Sequence, residues 1–291
     1  MFSGSLVALV TPMKANGEID WRSLAELIEW HIESGTDAIV SVGTTGESAT
    51  LSVKEHVNVI AKTIQYAQGR IPVIAGTGAN ATKEAIEWTQ EAQLLGADAA
   101  LLVTPYYNKP SQEGLYQHYS AIAKAASIPQ ILYNVPGRTA CDLLPDTVAR
   151  LAKIDNIIGI KEATGDIERG KAILTKVNDR FLLLSGDDAS FLDLMAIGAR
   201  GNVSVTANIA PQAMAEICRL ANDKMFTQAN EKNQRIASLH EVLFIESNPV
   251  PVKWALQAMQ KIPKGIRLPL TTLSEQHQQT LIDALKLNGI K

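Results

Sequence analysis

Eight short apolar runs, most of them rich in valine and isoleucine, leave few folds open to this chain. They are SLVALVTP from Ser5, DAIVSVGTTGE from Asp37, IPVIAGTG from Ile71, AALLVTPYY from Ala99, QILYNVPGRT from Gln130, NIIGIKEATG from Asn156, FLLLSGDD from Phe181 and GNVSVTAN from Gly201. Continuous apolar runs that alternate with helical patterns are expected of parallel strands covered on both faces. The intervening segments supply those patterns. DWRSLAELIEWHIESG places Leu24, Leu27, Ile28 and Ile32 at helical spacing, with Asp20 as a candidate N-cap and Gly35 as a stop. SVKEHVNVIAKTIQYAQG does the same with Val53, Val57, Ile60 and Ile64 behind Ser52, and NATKEAIEWTQEAQLLGA repeats the design.

Eight strand–helix units in about 250 residues is the size of a closed (β/α)8 TIM barrel, an α/β fold. The eighth run ends near residue 207, so the units are compact. We expect the barrel over residues 1–210 and a C-terminal helical extension over 211–291, since no glycine- or serine-rich linker separates them. A doubly wound open sheet is the rival fold.

Several function classes drop out. A net charge of −3 offers no basic field for nucleic acid or an anionic membrane. No apolar stretch approaches the roughly 20 residues of a membrane span. The start, MFSGSLVALVTPMK, is a poor signal peptide and a plausible first strand. Two cysteines, Cys141 and Cys218, lack metal-knuckle spacing and fit free thiols in a reducing cytoplasm. The five histidines are scattered without metal-ligand spacing, so no metal is expected. GTGANA, residues 76–81, matches G-x-G-x-x-A, but the acid about 20 residues on, Asp98, precedes the next strand instead of ending it. Nicotinamide binding is rejected, and no cofactor is expected.

A barrel puts its chemistry at the C-terminal ends of its strands. The polar residues just past the runs are Thr11; Thr44, Thr45 and Glu47; Thr77 and Asn80; Tyr106 and Tyr107; Tyr133, Asn134 and Arg138; Lys161 and Glu162; Asp187 and Asp188; Thr206 and Asn208. Lys161 stands out because it ends the apolar run of Ile157, Ile158 and Ile160. Strand alternation puts Ile157, Gly159 and Lys161 on one face and Glu162 on the other, with Gly159 leaving space beside the lysine. Lost hydration favours the neutral amine, the form that attacks a carbonyl to make a Schiff base. The competing reading is a lysine that reaches past the strand end to water. Tyr133 lies on the neighbouring strand about 5 Å away, where a phenol can shuttle protons for the amine. A core tyrosine with a satisfied hydroxyl is the plainer alternative. GTTGES, residues 43–48, offers small residues and two hydroxyls that suit a substrate carboxylate, or simply a turn.

With GTTGES, YNVPGRT and GIKEATGD on one barrel, the chain resembles the dihydrodipicolinate (4-hydroxy-tetrahydrodipicolinate) synthase family of pyruvate-dependent lyases. The likeness runs from GSLVALVTPM through TPYYNKPSQEGLYQHY to SNPVPVKWAL. It implies condensation of pyruvate with L-aspartate 4-semialdehyde in the diaminopimelate route to L-lysine. By resemblance Lys161 forms the Schiff base and Tyr133 moves protons. Thr44 links Tyr133 to Tyr107, which reaches in from an adjacent subunit. Thr45 holds the pyruvate carboxylate, Arg138 the carboxylate of the aldehyde, and Gly186 and Val203 line the pocket. A cytoplasmic homotetramer, a dimer of dimers with lysine feedback, is implied as well. The matching lysine positions are Ser48, Ala49, His56, Asn80, Glu84 and Tyr106, while Val53 stands where bacterial relatives often have a second histidine. A lyase acting on sialic acid or a keto-deoxy sugar acid would keep Lys161 and Tyr133 without needing Arg138, and a barrel that only senses pyruvate or lysine could dispense with both.

Overall fold

The computed structural model of the chain describes residues 2–290. Each apolar run supplies one strand: β1 (Gly4–Ala8), β2 (Ala38–Ser41), β3 (Val73–Gly76), β4 (Ala99–Val103), β5 (Gln130–Asn134), β6 (Ile157–Glu162), β7 (Leu182–Ser185) and β8 (Gly201–Ser204). They pair in parallel and in chain order, and β1 also pairs with β8. The sheet is therefore a closed TIM barrel, and the open-sheet alternative, which needs a reversal of strand order, is excluded.

Period-two alternation divides the strand residues between two apolar layers. Leu6, Val40, Ile74, Leu101, Ile131, Leu184 and Val203 fill the barrel interior. Val7, Ile39, Leu102, Leu132, Ile160 and Leu183 face the surrounding helices. Those helices are α1 (Trp21–Glu33), α2 (Val53–Ala67), α3 (Thr82–Leu95), α4 (Gln112–Ala125), the single turn α5 (Pro136–Thr139), α6 (Pro145–Leu151), α7 (Ile167–Leu174), α8 (Phe191–Ala196) and α9 (Pro211–Asn222). Then follow α10 (Phe226–Val242), α11 (Val250–Ala258) and α12 (Glu275–Leu287).

The expected caps are made. The Asp20 carboxylate accepts from the amides of Arg22 and Ser23 at the start of α1, and Ser52 and Glu55 form a reciprocal capping box on α2. The face of α2 differs from expectation. Ile60 is buried and Ile64 packs on the core as expected, but the rest of the buried stripe is His56, Val59, Thr63 and Ala67, and Val53 is 57% exposed. Apolarity misassigns this face because two of its inward residues are polar and satisfied within the protein. His56 Nε2 lies 2.8 Å from the Gly76 carbonyl oxygen, and the Thr63 hydroxyl donates to that of Val59 at 2.8 Å.

Helix α9 packs against β1 after the last strand, completing the outer ring. We accordingly propose that the barrel unit extends to Asn222, beyond the expected boundary at residue 210, and that α10, α11 and α12 form the extension. No helix among the described residues is long and apolar enough to cross a membrane.

Candidate active site

A cavity of about 190 Å³ opens at the C-terminal ends of the strands. Thr44, Thr45, Tyr133, Arg138, Lys161 and Gly186 line it, with Val203 behind them. Sequence-named residues from five separate strands or the loops after them thus converge on one space suited to a small acid.

Lys161 is 6% exposed and is paired in register with Tyr133. Its Nζ lies 4.1 Å from the centroid of the Tyr133 ring, and it makes no ion pair among the described residues. The route to this position differs from strict alternation. Between Gln130 and Ile131 the β5–β6 register slips, so that Ile157 and Gly159 oppose consecutive residues and Ile158 is the extra one. Ile157 and Ile160 both face the helix layer, whereas Ile158 packs with the barrel interior. Ile157 therefore does not share the face of Lys161. Nor does Gly159 make room for the amine: a Cβ there would lie 2.5 Å from the Leu182 carbonyl oxygen, so this glycine serves close approach of β7. The room comes from Gly186, where a Cβ would sit 2.6 Å from Lys161 Cε and 2.7 Å from Ala163 Cβ.

Glu162 points away from the cavity, as alternation requires. Its carboxylate accepts from Asn134 Nδ2 at 3.1 Å and from the Thr164 amide at 2.9 Å, and burial pushes its pKa up. Asn134 also donates to Asp142 at 3.0 Å, and Asp142 pairs with Arg169 at 2.7 Å. This polar network ties the ends of β5 and β6 together behind Tyr133 and Lys161.

The loop after β2 is held from far away in the chain. Thr45 is 3% exposed, and its hydroxyl oxygen accepts from Asn248 Nδ2 at 2.9 Å. The hydroxyl proton of Thr45 is thereby left for another acceptor. Glu47 is buried, pairs with buried Lys253 of α11, and accepts from the Arg267 amide at 3.1 Å. Burial lowers the Lys253 pKa, and Glu47 opposes that shift. Arg267 spans the loops on this side, donating to the carbonyls of Gly17 and Thr50 and to both carboxylate oxygens of Glu55. Its fork holds the Glu55 carboxyl down at about 2.

Arg138 lies at the cavity mouth on α5, exposed and unpaired with any carboxylate among the described residues. Tyr107 does not join the cavity of its own chain: it is 88% exposed, on backbone with φ +76°. The six named lysine positions gather around the loops after β2, β3 and β4. Ser48 Oγ is 3.4 Å from His56 Nδ1, and the His56 ring stacks on Trp88 with centroids 4.4 Å apart. Burial lowers the His56 pKa, whereas burial and the nearby Glu84 carboxylate raise that of Tyr106. Ala49 is exposed beside Ser48, and the Asn80 carbonyl accepts from Asn108 Nδ2 at 2.9 Å.

The remaining strand-end candidates do structural work. Thr11 donates to the Gly46 carbonyl at 2.7 Å, Thr77 bonds Thr89 at 2.9 Å, and Thr206 bonds His240 at 2.8 Å. Asp188 accepts from Asn202 and from the amides of Val205 and Thr206. Asn208 holds the backbone at Ala8 and Val10. Asp187 borders the cavity and caps Ser190. Sequence reasoning missed Asn248 and Phe244 in the wall, because they arrive from the extension and follow no strand.

A family model described as the dihydrodipicolinate synthetase family matches residues 1–288. A 4-hydroxy-tetrahydrodipicolinate synthase of Stutzerimonas stutzeri is 59% identical over 290 residues, covering 100% of this chain and 99% of the relative. Among solved structures, the chloride-inhibited dihydrodipicolinate synthase of Acinetobacter baumannii complexed with pyruvate superimposes with a TM-score of 0.99 at 60% identity, over 100% of both chains. A dihydrodipicolinate synthase of Cyanidioschyzon merolae with lysine bound gives 0.97 at 38% identity, over 100% of this chain and 99% of that one.

Proposed function

This chain belongs to the dihydrodipicolinate synthetase family, and from that premise we propose that it joins pyruvate to L-aspartate 4-semialdehyde through a Schiff base on Lys161. It is a lyase of the class I aldolase type, working in lysine biosynthesis. The observation that carries the residue assignment is the Lys161 amine, sheltered from water and without an ion pair among the described residues, seated on the Tyr133 ring inside the cavity.

The Lys161 nitrogen attacks the keto carbon of pyruvate to give a carbinolamine. Tyr133 carries protons as water leaves and the iminium forms. The iminium draws electrons from the methyl group, which loses a proton to become an enamine. That carbon then bonds to the aldehyde carbon of the second substrate, whose oxygen takes up a proton, and the amine of that substrate displaces Lys161 from the regenerated iminium, which frees the lysine. Thr45, with its oxygen engaged by Asn248, directs its O–H at the pyruvate carboxylate. Arg138 offers its guanidinium fork to the carboxylate of the aldehyde. Gly186 and Val203 shape the space for pyruvate, and Thr44 continues the relay toward Tyr107 of a neighbouring copy.

The exposure of Tyr107 supports assembly, since a relay residue with no cavity in its own chain needs one elsewhere. A homotetramer built as a dimer of dimers provides it. Free thiols at Cys141 and Cys218 fit a cytoplasmic setting. The cluster from Ser48 to Tyr106 is read as a lysine site altered at Val53; activity indifferent to lysine in roughly the millimolar range would remove that reading.

Borohydride reduction with pyruvate, followed by intact mass and peptide mapping, tests the core of the assignment. One pyruvate-derived adduct is expected on Lys161, and none in Lys161→Ala. Tyr133→Phe is expected to keep its fold and lose at least about a hundredfold in kcat. A wild-type rate in Tyr133→Phe would overturn the relay. Turnover of a keto-deoxy sugar acid in preference to the aldehyde would move the chain to a sibling activity.

A further inference from the structure

Two non-glycine residues with left-handed backbone bracket the threonines of the β2 loop. Val42 has φ +51° and Glu47 has φ +56°. A β-branched residue at positive φ is a genuine outlier, and such strain persists only where the surroundings enforce it. At Val42 the enforcement is steric: Gly76 and Gly46 approach it so closely that a Cβ on either would lie 2.6 Å from its carbonyl oxygen or 2.9 Å from its Cα. At Glu47 the enforcement is polar and comes from the extension. One carboxylate oxygen takes Lys253 and the other takes the Arg267 amide, from partners 206 and 220 positions away.

Burying two charges is a poor way to gain stability, because well-packed apolar residues serve as well or better. The pair does something an apolar contact does not: it fixes the direction of one peptide. The Glu47 amide donates to the Thr44 carbonyl at 3.1 Å, so Glu47 is tied to the peptide that joins Thr44 to Thr45.

We propose that the buried Glu47–Lys253 pair is a positioning device for pyruvate recognition, setting from the C-terminal extension the direction of the Thr44 and Thr45 hydroxyls. The inference rests on the site reading given above. Glu47 and Lys253 are positioning residues, since neither lines the cavity.

Lys253→Met alone strands a buried carboxylate, so the deciding variant is the double substitution Glu47→Gln/Lys253→Met in the full-length enzyme. It removes both charges and keeps the volumes. The KM for pyruvate is expected to rise at least about tenfold, the scale of one weakened hydrogen bond to a charged group. The KM for the aldehyde should stay within about twofold, because its anchor Arg138 sits on another loop and makes no bond to this pair. Reductive trapping on Lys161 should persist at saturating pyruvate. An unchanged pyruvate KM, or equal rises in both KM values, overturns the proposal. If the double variant does not fold, Glu47→Gln decides instead: it keeps the volume and weakens the charge-assisted bond to Lys253, so a pyruvate-selective rise of about threefold is expected, and no rise overturns the proposal. Failure of wild-type enzyme to be trapped at all is a different result, which removes the Schiff-base reading itself.

Discussion

Gly159 and Gly186 stand on the neighbouring elements that carry and face Lys161, and one added methyl should affect them in opposite ways. At Gly186 the new Cβ meets the Lys161 side chain at Cε and, at 2.7 Å, the Ala163 Cβ. Gly186→Ala should displace the amine, lowering kcat/KM at least about tenfold and slowing borohydride trapping, with a smaller loss of stability than at Gly159 because no backbone atom is in the way. At Gly159 the new Cβ meets rigid backbone of β7. Gly159→Ala should cost about 1–3 kcal/mol in urea unfolding, as overpacking does. Equal loss of stability in both variants would contradict this division. The meeting of Lys161 and Tyr133 at one cavity was legible in the sequence because each closes a buried run at a strand end. The role of Gly186 was not legible without the family likeness, because it depends on the path of a side chain from another strand.

At the level of the element, helices α1 and α4 each bury a histidine that no mechanism uses. His31 lies 2.9 Å from the Thr36 hydroxyl and His118 lies 2.9 Å from that of Thr82. Burial pulls their pKa values down from 6.5 to about 3 and about 4. The unfolded chain takes up these protons near pH 6.5, whereas the folded one refuses them until far lower pH. Their contribution to stability is therefore complete above about pH 6.5 and is lost as pH falls toward 4 and 3. The melting temperature should drop over this range. His31→Leu should flatten that fall, and an unaltered slope would show that His31 is already charged in the native state. Strand and helix existence followed from periodicity, which is why all eight runs became strands. The β6 bulge and the face of α2 did not follow, because each was decided by partners elsewhere: a register slip against β5 and polar groups satisfied on β2 and β3.

On the scale of the whole molecule, a single chain brings Lys161, Tyr133 and the β2 loop to one cavity but turns Tyr107 outward, so the relay we propose is incomplete within one copy. Specific activity should fall on dilution in step with dissociation seen by sedimentation. Full activity in a preparation that sediments as monomer would remove the inter-subunit role of Tyr107. The strand ends are readable from one end of the sequence to residue 208, but nothing local in the extension announces its reach to the β2 loop. Its contacts with the β2 loop join partners 203 to 220 positions apart, a separation no local pattern encodes. That separation also sets an order of events during translation. At about 5–20 residues per second, the ribosome needs roughly 10–40 s after making Thr45 to deliver Asn248, Lys253 and Arg267. Until then the β2 loop lacks the partners that hold it in the folded chain, so on the proposed reading tight pyruvate recognition is complete only once the last sixth of the polypeptide has emerged.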